Sequence, residues 1–141
     1  VLATIALATL LAQVSQPTSK GLDLCAASND IKVCDDAIHG YYENYADALK
    51  YNDNDTACKD MLYGLGAYLY IGGIDVAKGK DPTEDAERSE SLMDEIEDDC
   101  DITYTSKVDD IVVEIKNWKA GDLPIQVQAL SIIEGHPVQK S

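Results

Sequence analysis

Apolar residues return at helical spacing along most of this chain, and the pattern is clearest between Cys58 and Cys100. From Cys58 onward, Met61, Leu65, Tyr68, Gly72 and Val76 share one face, which predicts an amphipathic helix opening at that cysteine. Lys78-Gly79-Lys80-Asp81 follows as a polar turn. Asp81 is placed to cap a second helix, Pro82 suits its first position, and Glu84 completes a capping box with Asp81. Ala86, Ser89, Met93, Ile96 and Cys100 then alternate steps of three and four, the seam of an antiparallel helix pair. Antiparallel packing sets the start of one helix beside the end of the other. Cys58 and Cys100 are therefore placed to meet.

The same periodicity extends in both directions. Between Asp35 and Tyr51, the positions Ile38, Tyr42, Tyr45 and Leu49 fall on one helical face, with Gly40 a weakening residue and Asn52–Asp55 the expected stop. Leu22–Cys34 reads as a short helical or turn-like segment holding Cys25 and Cys34. That pair lacks the close spacing and further ligands of a zinc site, so a local disulfide is expected instead. The heavy glycine load after Cys58 (Gly64, Gly66, Gly72, Gly73) predicts close helix packing, with a break at Gly72-Gly73 as the alternative.

Beyond Cys100, Asp101–Ser106 is a connector, and Ser106 with Asp109 can cap another helix carrying Val108, Ile111, Val112, Ile115 and Trp118. The β-branched run Ile111-Val112-Val113 leaves a strand open there. Leu123–Glu134 predicts a final helix, with Pro124 in its first turn, Ile125, Ala129, Ile132 and Ile133 on one face, and Gly135 and Pro137 ending it. The expected fold is all-α: an up-and-down four-helix bundle with a short N-terminal helical appendage.

Residues 1–14 depart from this pattern, being mostly apolar and uncharged, with no charge before Lys20. Too short to span a bilayer, the run reads as the hydrophobic part of an N-terminally incomplete secretory signal peptide, residues 1–12, cleaved after Ala12. Residues 13–21 are then a polar lead-in, 22–136 the helical domain and 137–141 a tail. A secreted chain places its four cysteines in an oxidising compartment and makes Asn54-Asp55-Thr56 a glycosylation acceptor in a polar loop.

Charge narrows the choice of partner. Against 11 basic side chains stand 26 acidic ones, a formal net charge of −15, which repels nucleic acid and anionic membranes. Eleven of the carboxylates fall between Asp81 and Asp101, with Arg88 as the one base, and spread around the whole helix as a solvated face, with a partner-facing acidic surface as the alternative. Eight Tyr, one Trp and no Phe place many rings at the rim of the core. Catalysis finds no foothold. His39 and His136 are isolated, no Ser or Cys has a nucleophile's context, and Asn52–Asp55 lacks the Gly and terminal Glu of a calcium loop. A monomeric non-enzyme without metal or cofactor is expected.

The cysteine spacing and three stretches carry a resemblance. Cys25 and Cys34, then Cys58 and Cys100, with CKDMLYGLGAYLYIGGIDVAKGKD, DAERSESLMDEIEDDC and LPIQVQALSIIEG, resemble the plant invertase and pectin methylesterase inhibitor family. The resemblance implies pairing within each cysteine pair and a bundle that occludes the active-site cleft of a cell-wall enzyme. It also implies secretion to the apoplast or cell wall, with the vacuole as a second destination. Only 23 residues separate Cys34 from Cys58, fewer than in the family, which implies one shortened helix.

Lys80, Pro82, Thr83 and Glu84 become target-binding candidates through the same resemblance. Invertase-directed members carry Pro-Lys-Phe at this turn, and Pro82-Thr83-Glu84 keeps only the proline. Pectin methylesterase is therefore the first expected target and invertase the second. A secreted small-ligand carrier, which needs an apolar cavity, and an inactive family member are the remaining expectations.

Overall fold

The computed structural model describes residues 14–117. The expected signal segment and its expected cleavage point, Trp118, the final helix expected at 123–134, His136 and the tail lie outside the described residues. Within them the chain is all-helical: α1 Lys20–Ser28, α2 Ile31–Lys50, α3 Asn54–Ala77, α4 Thr83–Asp99 and α5 Val108–Asn117. The run Ile111-Val112-Val113 is helix, not strand, because Ile111 and Ile115, one turn apart, both bury against the rest of the bundle.

Short polar turns set the helix boundaries. Asn29 closes α1 in the left-handed region at φ 52°. Asp30 then caps α2, its carboxylate accepting from the Lys32 N–H at 2.9 Å, so α2 begins at Ile31 and not at Asp35. Asp53 does the same for α3, accepting from Thr56 N–H at 3.2 Å and from the Thr56 hydroxyl at 2.7 Å. That cap starts α3 at Asn54, one turn before Cys58, and moves the glycosylation acceptor from a loop into the first helical turn. Gly79, at φ 78°, ends α3: its N–H bonds the Val76 carbonyl and the next N–H, of Lys80, bonds Asp75.

All four other helices pack against α3, while α1 also packs on α2 and α4 on α5, an arrangement consistent with a helical bundle. The single-face reading of α3 is corrected accordingly. Leu62, Tyr63, Ala67, Leu69, Tyr70, Ile71 and Ile74 are buried along with Met61 and Leu65. The helix runs unbroken through Gly72-Gly73. Its glycines admit neighbours: a Cβ on Gly66 would come within 3.0 Å of Leu22 in α1, and one on Gly72 within 2.7 Å of Ile115 in α5. On α2 the buried line is Cys34, Ile38, Tyr41 and Ala48, with Tyr41 stacked on Tyr63 at 5.0 Å between ring centroids. Leu49, expected inside, is 44% exposed. The short Cys34–Cys58 interval still holds most of this helix, whose 20 residues begin at Ile31, just before Cys34.

The expected seam of α4 holds: Ala86, Ser89, Met93 and Ile96 are buried, with Leu92 beside them. Both disulfides close. Cys25–Cys34 joins α1 to the first turn of α2 (Cα–Cα 4.5 Å), and Cys58–Cys100 joins the start of α3 to the end of α4 (6.0 Å).

Glycine substitutions separate packing from helix propensity. Gly40 has nothing within 4 Å of an added Cβ, so Gly40→Ala should gain about 0.5–1 kcal/mol from propensity alone. Gly72→Ala carries the same gain but forces Ile115 away, and overpacking costs about 1–3 kcal/mol. Chemical denaturation should show the first variant stabilised and the second destabilised; two stabilised variants would mean that α5 yields freely.

Candidate functional site

The α3–α4 turn holds the residues that the resemblance singled out, and burial sorts them. Lys80 and Glu84 are exposed, Thr83 is half-buried, and Pro82 is fully buried. Pro82 anchors the turn from inside and offers a partner no surface. The expected capping box does not form: Pro82 is itself the N-cap residue, not the first helical position, and the cap makes no side-chain hydrogen bond. Asp81 accepts from the Thr83 N–H at 3.0 Å and from its hydroxyl at 2.7 Å, bonds that hold its carboxyl below the usual range. Glu84 does not reach back; it pairs with Arg88 one turn on, at 3.1 Å. That exposed pair contributes little.

Behind the turn, Lys80 Nζ lies 4.0 Å from Asp75. Asp85, 7% exposed, is the exception to the solvated acidic face of α4. Burial first, then the hydrogen bond and charge of Asp75, push its carboxyl up to about 7, with Arg88 opposing. Within the electrostatic reach of Glu95 and Asp99 of α4, Tyr42 and Tyr45 of α2 meet edge to face at 6.3 Å. Burial, then Tyr68 and Glu95, drive the Tyr42 hydroxyl well above the usual phenol range. Burial, Asp99 and Glu95 raise Tyr45 likewise. These rings are neutral hydrogen-bonding groups on an acidic rim.

A third feature escaped the sequence. The lead-in, α1, α2 and α3 enclose an open cleft of about 420 Å³, walled by Pro17, Leu24, Ala37 and Tyr41 and including Asp60 of α3. The lead-in is part of the fold. Tyr41 donates to the Thr18 carbonyl at 2.6 Å and accepts from Leu22 N–H at 3.1 Å. Asn44 donates to both the Ser15 carbonyl and Asp60 Oδ2, each at 2.8 Å. Gln16 donates to the Thr56 hydroxyl at 2.8 Å. Asp60 is 1% exposed and its other oxygen, Oδ1, has no partner. Burial pushes its carboxyl up to about 7, reinforced by Asp53, although the Asn44 bond works the other way. The available signal was a carboxylate at the head of the apolar run MLYGLGAYLY, but its partner Asn44 sits 16 residues away.

Asn54 is exposed at the head of α3, while Thr56 of the same tripeptide is buried in the cap. His39 is exposed on α2. Among the described residues no three His, Cys, Asp or Glu side chains gather to hold a metal ion, and no helix is long and apolar enough to cross a membrane. Compared with protein-family models, with curated proteins and with solved structures, the chain finds no match in any of the three.

Proposed function

We propose that this chain is a secreted inhibitor of the plant invertase and pectin methylesterase inhibitor type, directed first at pectin methylesterase. The observation that supports the reading most is the disulfide frame. One bridge staples the short α1 to the first long helix, and the other ties the start of α3 to the end of α4, the pairing that the resemblance implies. Two disulfides in a helical protein also fit an oxidising compartment; the apoplast is the proposed location and a glycan on Asn54 the proposed modification. The partner is a protein, bound by a monomer.

Inhibition here means occlusion, with the α3–α4 turn and the acidic face of α4 presented to the target. Pro82 shapes the turn from within, Lys80 and Glu84 are its exposed charges, and Thr83 is held by Asp81. A turn with Glu84 where invertase-directed members carry an aromatic ring is disfavoured at an active site built on carboxylates. A carrier would call for an enclosed apolar cavity within the bundle, whereas the cleft beside Asp60 is open.

Titrating the purified protein against pectin methylesterase and acid invertase at mildly acidic pH tests the proposal. Inhibition of the esterase at a protein concentration at least tenfold lower than for invertase is expected. Thr83→Lys with Glu84→Phe should raise invertase inhibition without unfolding the bundle. Potent inhibition of invertase by the unaltered protein would reverse the ranking, and inactivity against both enzymes would sink the proposal.

A further inference from the structure

The cleft between the lead-in, α1, α2 and α3 plays no part in the proposed inhibition, and its chemistry is that of a binding site. Asp60 is a buried carboxyl with one oxygen satisfied and one not. The side chain best placed to serve it, Asn44, has already committed both N–H groups, to Ser15 and to Asp60 Oδ2. Buried polar atoms without partners are rare, and a buried carboxylate without a counter-charge is rarer. We propose that this cleft receives an ammonium group, which gives Asp60 Oδ1 both its missing hydrogen bond and its missing counter-charge.

The surroundings favour a cation over other ligands. Asp36 on α2 and Lys20 on α1 line the cleft with Asp60, Asp53 at the cap of α3 acts on Asp60 through its charge, and Lys59 Nζ is 3.4 Å from Gln16 Oε1 of the cleft wall. With Asp60 itself, three carboxylates face two ammonium groups, inside a molecule of net charge −15. An anion is disfavoured, and a neutral hydroxyl would answer the hydrogen bond but not the charge. Pro17, Leu24 and Ala37 supply apolar wall, so the ligand is a monoamine with a small apolar body.

That chemistry has two sources. One is a free small amine. The other is the chain's own α-amino group: cleavage after Ala12 would place one on Gln13, two residues before Ser15. Two residues reach at most about 7 Å, and the Ser15 carbonyl and Asp60 share the same Asn44 amide.

The test follows Asp60 by carboxyl NMR in the full chain and in the chain beginning at Gln13, with benzylammonium and benzyl alcohol as probes. A free-amine site predicts saturable binding of benzylammonium, with benzyl alcohol at least tenfold weaker. Affinity should fall roughly 100-fold from above pH 7 to pH 5, because a proton competes at a carboxyl that titrates near 7. Asp60→Asn should erase the preference for the cation while circular dichroism shows the helices intact. An internal source predicts instead that Asp60 titrates well below 7 in the Gln13 chain without added amine, and returns toward 7 when that terminus is acetylated. If Asp60 titrates alike in both chains and benzylammonium binds no better than benzyl alcohol, or binds Asp60→Asn equally well, the proposal is overturned.

Discussion

Replacing Cys58 and Cys100 together by alanine should lower the unfolding midpoint by roughly 10–15 °C. The bridge spans 42 residues of sequence, and closing a loop of that size in the unfolded chain is worth about 4 kcal/mol in the chain-entropy account. For Cys25–Cys34, separated by 9 residues, the same account gives about 2.6 kcal/mol. Location sharpens the contrast. The short loop is already held by a tight turn in which Asn29 ends α1 and Asp30 caps α2. The long bridge fastens the head of the central helix to the tail of α4, where Cys100 leaves the helix in extended backbone. Calorimetry on the two double variants checks the order: the larger drop should belong to Cys58→Ala with Cys100→Ala. Peptide mapping under non-reducing conditions that joined Cys34 to Cys58 would remove the basis of both figures and of the proposed family.

What the sequence disclosed depended on whether a helix has one buried face or several. The α4 seam was legible because that helix packs along one side, so Ala86, Ser89, Met93 and Ile96 stand out against its carboxylates. On α2, Tyr41, Tyr42 and Tyr45 are equally aromatic in sequence, and the choice among them is made in space. Tyr41 stacks on Tyr63, which turns Tyr42 and Tyr45 to the rim and leaves Leu49 in solvent. On α3 periodicity had little to select, since neighbours cover the helix on several sides. Asp60 was hidden for the same reason. The turn residues at 80–84 were singled out only through a resemblance, and only packing revealed that Pro82 faces inward. The Asp60 cleft needed Ser15, Asn44 and Asp60 brought together from three segments, which no local pattern announces.

Asp60 should also make this protein more stable in mild acid than at neutral pH, against the usual behaviour of a paired carboxylate. In the folded chain its carboxyl keeps a proton up to about 7, whereas its ordinary value is 3.8. Below 3.8 both folded and unfolded chains hold the proton, and the contribution is fully present. As pH rises, the unfolded chain ionises first and stability drains until about 7, above which both forms are ionised and the loss is complete. Three units at 1.36 kcal/mol each set that loss at about 4 kcal/mol at most. Asp85, pushed up in the same direction by burial and Asp75, adds a second contribution over the same window. Asp60→Asn removes the first and leaves the second. The amide keeps an oxygen for Asn44 but buries an unpartnered NH2, a cost of about 1–3 kcal/mol. The variant should therefore be less stable than the parent at pH 4, more stable at pH 8, and cross it between. Urea unfolding across that range is the measurement, and parallel curves for parent and variant would show that Asp60 titrates alike in both states. Adding benzylammonium to the parent at pH 8 should recover part of the lost stability, because the cation then occupies the place the proton has left.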